Sequence, residues 1–452
     1  MKNSIFRKYD IRGVFPDDLD RDTTFRLGRV LGSIAHGRIA AGRDCRISGS
    51  MLMNWLTDGI RSEGCDVTDL GVQTTPMTYF AAHTLKPDLT VMITGSHNPP
   101  EYNGFKILYG HEAIYGDSIQ DIRKRMESLT SSVNPAAESI LRKVSVRKSY
   151  IDRLLGEFSL ARSMKIVVDA GNGTGGDTAL TVLRNLGCRT IPLYCDMNGE
   201  FPNHHPDPTV EDNLHDLRKT VISENADLGI AFDGDADRLG VIDNRGEIIR
   251  GDMILIILAR SLLKINPKST VISEVKASNL FFSEVKKASG NAVMSPTGHS
   301  IIKKAMTDEN ALLGGEMSGH FFFRDRYYGY DDALYAALRL IEIIASDTLP
   351  LHRYLEDLPE VFSTPEIREE CDENSKFKLA SKVTELLQKD NYIVDTTDGA
   401  RITFDDGWGL VRASNTQPVL VMRFESGTRK NLLDYEDITR NYIKLARRKL
   451  NV

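Results

Sequence analysis

The sequence predicts an α/β protein: three similar α/β units with mixed, mainly parallel sheets, followed by a smaller C-terminal α+β unit. Three observations carry that expectation. The chain has 452 residues, too many for one ordinary core and enough for three domains of about 150 residues or four smaller ones. A strand–turn–helix pattern recurs at IAAGRDCRI (39–47), KIVVDAGNGTGG (165–176) and STVISEVKAS (269–278). The alternation then stops, and the end of the chain reads as strand, helix, β-meander and helix.

In each of the three units the helical segment closes near a glycine, at Gly64, Gly187 and Gly290, where a chain leaving a helix often turns left-handed. A second strand follows: CDVTDLG, CRTIPLY and NAVMSP. A third strand then runs into a polar, glycine-containing loop: LTVMITGSHNPP, LGIAFDGDADR and ALLGGEMSGH. Strands alternating with helices at this scale build mainly parallel sheets. Ligands of such sheets collect in loops beyond the carboxyl ends of the strands. In the tail, STPEIREECDENSKFKLASKVTELLQ runs from strand into helix, YIVDTTDGARITFDDGWGLVRAS reads as a meander, and Leu432 to Leu450 reads as a helix. The expected domains are residues 1–145, 146–247, 248–360 and 361–452.

Composition narrows the function class. A content of 41% hydrophobic and 27% charged residues is that of an ordinary soluble globular protein. A net charge of -6 argues against a general nucleic-acid binder but leaves room for a local basic pocket. The five cysteines (Cys45, Cys65, Cys188, Cys195 and Cys371) are scattered and form no C-x-x-C. That pattern fits a reducing compartment and disfavours a disulfide framework or a zinc site. The first residues, MKNSIFRKYDIRG, hold no apolar signal region. The most apolar stretch, Met253 to Leu263, contains Arg260 and falls short of the ~20 residues a spanning helix needs. The expectation is a cytoplasmic protein with no membrane or nucleic-acid partner.

Chemistry concentrates in four loops. TGSHNPPEYNGFK (94–106) sets Ser96 among a glycine, a histidine and two prolines after an apolar strand. A stiff exposed loop suits a nucleophile, and a plain Ser/Asn/Pro turn is the alternative. It is not the hydrolase elbow, because Asn98 stands where the final glycine belongs. DGDADR (233–238) places Asp233, Asp235 and Asp237 at alternate positions. In an extended loop these aim at one point, where a hard cation relieves their repulsion; a solvated acidic turn is the alternative. An EF-hand fails, since loop position six is Arg238 and position twelve is Asn244. Arg238 either neutralises the aspartates or contacts a phosphoryl oxygen. GGEMSGH (314–320) offers Glu316, Ser318 and His320 among glycines, able to accept from and donate to sugar hydroxyls or to form a structural loop. RASNTQP (412–418), with Arg423 beyond it, presents donors for an anionic phosphate or a plain turn. Near the start, RKYDIRG (7–13) adds Tyr9 and Arg12.

One motif points elsewhere. Gly171 to Gly176 satisfies G-x-G-x-x-G after a strand, and Asp196 follows at the end of the next strand, as a dinucleotide fingerprint requires. An NAD-dependent oxidoreductase is therefore the second reading, although it leaves Ser96, the three aspartates and the terminal loop without a role.

Taken together, YDIRG (9–13), TGSHNPPEYNGFK, FPNHHPDP (201–208), DGDADR, EVKAS (274–278), PTGHS (296–300), GEMSGH and VRASNTQP resemble the α-D-phosphohexomutase family, in its bacterial phosphomannomutase/phosphoglucomutase branch. The resemblance spans essentially the whole chain and implies four domains around a central cleft. It implies that Ser96 carries a phosphate, and that Asp233, Asp235 and Asp237 bind Mg²⁺ together with the Ser96 phosphate. Arg12, His97, Lys106 and Arg238 would surround the transferring group. Lys276 and His299 would line the cleft with Tyr9, Glu316 and Ser318 would hold sugar hydroxyls with His320 behind them, and Arg412, Ser414, Asn415, Thr416 and Arg423 would clamp the other phosphate. The implied reaction interconverts hexose 1- and 6-phosphates of mannose or glucose through a hexose 1,6-bisphosphate. The implied partner is a small sugar phosphate, and the implied assembly a monomer or weak dimer. Two departures stand out. Ala236 occupies a position where the family often has glycine. GEMSGH and RASNTQP differ from the GEQSGH and K-x-S-G-T-E-P strings of phosphoglucosamine mutases, which ranks that amino-sugar reading lower. A sugar-phosphate-binding module without catalysis is a third reading, opposed by the intact Ser96 and aspartates.

Overall fold

The computed structural model describes residues 2–35, 37–129, 139–415 and 417–451. The chain divides into two compact units, residues 1–258 with 318–354, and residues 259–317 with 355–452.

Two sheets of the first unit share one plan. In the first, the strand Arg38–Arg43 runs parallel to Asp66–Val72 on one side and to Leu89–Ile93 on the other. Tyr102–Tyr109 returns antiparallel beside Leu89–Ile93, and Ile11–Val14 pairs antiparallel with it at the edge. In the second, Lys165–Asp169 lies parallel between Arg189–Leu193 and Leu228–Phe232, and Leu239–Asp243 returns antiparallel. The third strands, Leu89–Ile93 and Leu228–Phe232, are buried at every position. That explains their mostly apolar composition, since helices cover both faces of a parallel sheet. In both sheets a polar loop joins the third strand to its antiparallel return, and these are the loops of Ser96 and of the three aspartates.

Local signals set the helices. Asp20 caps Arg21–Ile34 by accepting from the Thr23 N–H, and Thr74 caps Thr75–Leu85 by accepting from Met77, with Pro76 in the first turn. Gly64 and Gly187 take the left-handed conformation after their helices, at φ +79° and +85°. The corresponding end of the helix Asn279–Lys287 differs. Its left-handed residue is Ser289 at φ +61°, and Gly290 is needed for space instead, because a Cβ there would lie 2.6 Å from Leu263 Cδ1.

In the second unit, Thr270–Glu274 runs parallel between Asn291–Ser295 and Leu313–Gly315. The C-terminal sheet is antiparallel: Ala400–Thr403, Gly407–Ala413 and Val419–Ser426 form the meander, with Ile367–Glu370 against the last strand. The helices Lys376–Lys389 and Arg429–Leu450 contribute Leu379, Val383, Leu387 and Ile443 to a core with Val411 and Met422. Mixed α/β sheets followed by an α+β tail are what the alternation of elements predicted. Among the described residues no helix is long and apolar enough to cross a membrane, and all five cysteines are free thiols.

Candidate active site

The Ser96 loop is held from within. Thr94 Oγ1 donates to Asp44 Oδ2 at 2.7 Å and accepts from the Ser96 N–H at 2.8 Å. Ser96 itself sits at φ +50°, a left-handed conformation that costs a non-glycine residue about 1–3 kcal/mol and tends to collect at functional sites. The buried guanidinium of Arg46 maintains it. Arg46 Nη2 donates to the carbonyls of Ser96 and Asn98 at 2.8 and 2.6 Å, Nη1 donates to those of Pro99 and Tyr102, and Nε pairs with Asp44 at 3.2 Å.

Ser96 Oγ donates to Asp233 Oδ2 at 2.8 Å and lies 3.1 Å from His97 Nδ1. The aspartate loop therefore meets the Ser96 loop directly. Asp233 Oδ1 accepts from the backbone N–H groups of Asp237 and Arg238 at 3.0 and 3.1 Å. Lys106, on the return strand of the first sheet, bridges Asp235, at 2.7 Å, and Asp237. Thr75 Oγ1 also donates to Asp235 Oδ2, and the Thr75 N–H to the Asp235 carbonyl at 2.9 Å.

The three carboxylates offer oxygens within 4.8 Å of one another, all fully buried. Asp235 Oδ1 and Asp237 Oδ1 accept no hydrogen bond from the described residues. An all-oxygen donor set with unsatisfied buried acceptors fits a hard divalent cation of the Mg²⁺ type. Burial, together with Asp235 and Asp237, pushes Asp233 well above the ordinary carboxylate range, which is how a cluster short of positive charge responds. Burial opposes the charge on Lys106, but Asp235 and Asp237 outweigh it and hold the ammonium well above its usual value.

Further charged groups surround His97, the neighbour of Ser96. Burial, then the cations Arg238 and Arg12, push His97 well below the ordinary histidine value, so it is neutral beside the serine oxygen. Arg12 Nη1 donates to Asn98 Oδ1 at 2.9 Å while Nη2 pairs with Asp10. Arg238 Nε donates to His320 Nε2 at 3.1 Å, and His320 Nδ1 lies 3.0 Å from Asp331 Oδ2. Tyr9 is half-buried, with Lys8 Nζ 5.8 Å from its ring centre, and Ser318 is half-buried.

The second unit gathers another set. Lys276 Nζ pairs with Glu366 at 3.1 Å and Glu274 at 3.6 Å. Lys276 in turn draws Glu366 down to about 2. Glu316 Oε1 accepts from the Gly298 N–H at 2.7 Å, which ties it to the turn before His299, the first residue of the helix His299–Asp308. Arg412 Nε donates to Asp398 Oδ2 at 2.8 Å, and the same oxygen accepts from the Thr297 N–H at 3.0 Å. Ser414 Oγ accepts from the Gln417 N–H at 3.1 Å, and Asn415 is half-buried beside it. Arg423 is almost fully buried and donates to the Lys276 carbonyl. Thr416 lies outside the described residues.

With this geometry in view, the comparisons with known proteins are decisive. The chain matches the family descriptions "Phosphoglucomutase/phosphomannomutase, alpha/beta/alpha domain I" over residues 3–132, domain II over 148–246, domain III over 250–362, and the C-terminal domain over 366–441. The chain belongs to the phosphoglucomutase/phosphomannomutase family. It is similar to a "Phosphomannomutase/phosphoglucomutase" of Pseudomonas aeruginosa, 44% identical over 447 residues, covering 98% of this chain and 96% of the relative. A "Phosphoglucomutase" of Neisseria gonorrhoeae is 42% identical over 432 residues, covering 94% and 93%. A solved structure of a phosphoglucomutase/phosphomannomutase family protein from Burkholderia thailandensis superposes with a TM-score of 0.92 at 39% identity, covering 99% and 98%. The chain is a phosphohexomutase, an isomerase that works by intramolecular phosphoryl transfer.

Family membership and geometry together dispose of the dinucleotide reading. The Gly171–Gly176 segment is filled by the metal loop: Thr174 N and Oγ1 donate to the Gly234 carbonyl at 3.0 and 3.1 Å. A Cβ on Gly173 would lie 2.7 Å from that carbonyl oxygen. The glycines admit a neighbouring loop of this phosphohexomutase where a pyrophosphate would have to lie. Ala236 keeps the metal loop's shape at φ +60°, a conformation that costs an L-residue roughly 1–2 kcal/mol. Asp44, Arg46, Thr75, Glu366 and Asp398 were missed by the sequence reading. For Asp44 and Arg46 a signal exists, since they follow the carboxyl end of the strand Arg38–Arg43, where ligand loops gather.

Proposed function

We propose that the enzyme interconverts the 1- and 6-phosphates of mannose and glucose through a phosphoserine at Ser96 and a hexose 1,6-bisphosphate. The observation that carries this reading is the 2.8 Å contact between Ser96 Oγ and Asp233 Oδ2, which sets a nucleophilic oxygen on a carboxylate cluster suited to a cation. In the first half-reaction the bond from phosphorus to Ser96 Oγ breaks as a bond to the free sugar hydroxyl oxygen forms, and the hydroxyl proton passes to a neighbouring base, for which His299 is the candidate, to be given back to the sugar oxygen freed in the second transfer. The bisphosphate turns end for end and returns its other phosphate to Ser96, which ends the cycle as it began.

Asp233, Asp235 and Asp237, with an oxygen of phospho-Ser96, are the proposed holders of Mg²⁺, which when bound supplies fixed positive charge to the transferring group. Lys106 neutralises two of those carboxylates, Arg12 and Arg238 donate to phosphoryl oxygens, and neutral His97 shares a hydrogen bond with the serine oxygen. We assign sugar contacts to Tyr9, Lys276, His299, Glu316 and Ser318, with His320 behind them. Arg412, Ser414, Asn415, Thr416 and Arg423 form the clamp on the non-reacting phosphate, which draws Arg412 from Asp398. Either phosphate must fit that clamp in turn. The four loops belong to successive domains, 1–145, 146–247, 248–360 and 361–452.

Mannose and glucose differ at C2, and a site that holds hydroxyls elsewhere on the ring accepts both. Assays with mannose 1-phosphate and glucose 1-phosphate plus a trace of bisphosphate should both give 6-phosphate; turnover that is indifferent to bisphosphate would count against the reading. Chelation of divalent ions is expected to lower turnover by about 100-fold or more, since loss of one fixed electrostatic partner in phosphoryl or acyl transfer typically costs that much, and added Mg²⁺ should restore it.

A further inference from the structure

FPNHHPDP (201–208) and GNGTGG (171–176) take no direct part in the chemistry above, yet they meet behind the metal loop. His204 Nδ1 lies 2.8 Å from the carbonyl oxygen of His205, and Nε2 lies 3.2 and 3.1 Å from the two oxygens of Asp169. A carbonyl oxygen can only accept, and Asp169 Oδ1 already accepts from the Gly171 N–H at 2.9 Å. Both ring nitrogens therefore donate, which is the imidazolium form. The other groups around the ring are compatible with that charge. The Tyr194 ring stands roughly perpendicular to the imidazole at 5.4 Å, and its hydroxyl donates to Asp216 at 2.6 Å. Burial opposes protonation, but the hydrogen bond and charge of Asp169 outweigh it and raise the histidine above its ordinary value.

The segment anchored by this pair presses on the metal loop at two places and on the strand that follows it, Leu239–Asp243, at a third. Pro206 fills the space beside Gly171 and Gly234, where a Cβ would lie 3.0 and 3.5 Å from its ring carbons. Pro208 lies as close against Gly240, where a Cβ would meet its Cβ at 2.8 Å. Asp207 Oδ1 stands 3.8 Å from Arg238 Nη1. On the other side, Thr174 of the glycine segment grips the Gly234 carbonyl.

We propose that the charged His204–Asp169 pair is a positioning device for the metal loop. It locks residues 201–208 against Gly234 and Arg238, and so sets the divalent-cation affinity of Asp233, Asp235 and Asp237. The proposal rests on the metal reading given above. Neither residue is a catalytic group; both act through Pro206 and Asp207.

The test uses Mn²⁺ as the probe, with binding to the full chain followed by electron paramagnetic resonance, and side-chain ¹⁵N NMR to read the histidine. Wild-type protein at pH 7.5, about one unit above the ordinary histidine value, should show His204 with both nitrogens protonated. Asp169→Asn should abolish that signature, and both Asp169→Asn and His204→Gln should weaken Mn²⁺ binding about 10-fold, the lower end of what loss of an outer-sphere partner costs. Using two variants keeps the test meaningful should one fail to fold. Wild-type Mn²⁺ affinity in the variants, or a neutral His204 in the wild type, would overturn the positioning role alone. Wild-type protein that binds no Mn²⁺ would overturn the metal reading itself.

Discussion

Ser96→Ala is expected to lower mutase turnover by about 10⁴-fold or more, the scale on which removal of a covalent nucleophile acts. Ser96 Oγ is the atom that the structure places on Asp233 and beside His97, and alanine removes it while keeping the backbone. Thermal stability should fall little, because the lost hydrogen bond is one of several that hold the loop. Steady-state assays on both hexose 1-phosphates measure the effect, and near-native turnover would exclude Ser96 as the phosphoryl carrier.

Arg46→Lys is expected to destabilise the protein by about 2–6 kcal/mol, the scale for leaving two buried acceptors unpaired, and to impair phosphorylation of Ser96. The guanidinium satisfies Asp44 and four carbonyls of residues 96–102 at once. Lysine brings three donors at a single point, so at least two buried acceptors lose their partners at about 1–3 kcal/mol each. Denaturant titration reads the stability loss. An unchanged midpoint would mean that the loop holds its shape without Arg46.

The layout of elements was legible because each strand of the repeated plan carries its own local signal. Buried third strands read as apolar runs, and polar loops at their carboxyl ends mark where ligands gather. Ser96 and the three aspartates were legible for the same reason. Arg46 carried only its place beyond the carboxyl end of a strand, since its importance lies in carbonyls about fifty residues away that only the folded loop turns toward it. Glu366 and Asp398 were missed on similar grounds: each becomes meaningful only when Lys276 or Arg412 is brought to it by tertiary structure. Gly171–Gly176 shows the converse ambiguity. Its pattern signals close approach of another group, which the second-ranked reading took for a pyrophosphate and the structure shows to be the backbone of Gly234. At the third helix end, Ser289 takes the left-handed turn that the pattern assigned to Gly290, because packing against Leu263 claims the glycine.

The central claim is that phosphate on Ser96 is the group transferred, and following its label tests this most directly. Protein phosphorylated with ³²P should be mixed with unlabelled glucose 1-phosphate and Mg²⁺, quenched after one and several turnovers, and separated into protein and sugar fractions. The account predicts that label leaves Ser96 and appears in glucose 1,6-bisphosphate and glucose 6-phosphate on the timescale of turnover. Label that stayed on the protein while 6-phosphate accumulated would contradict it.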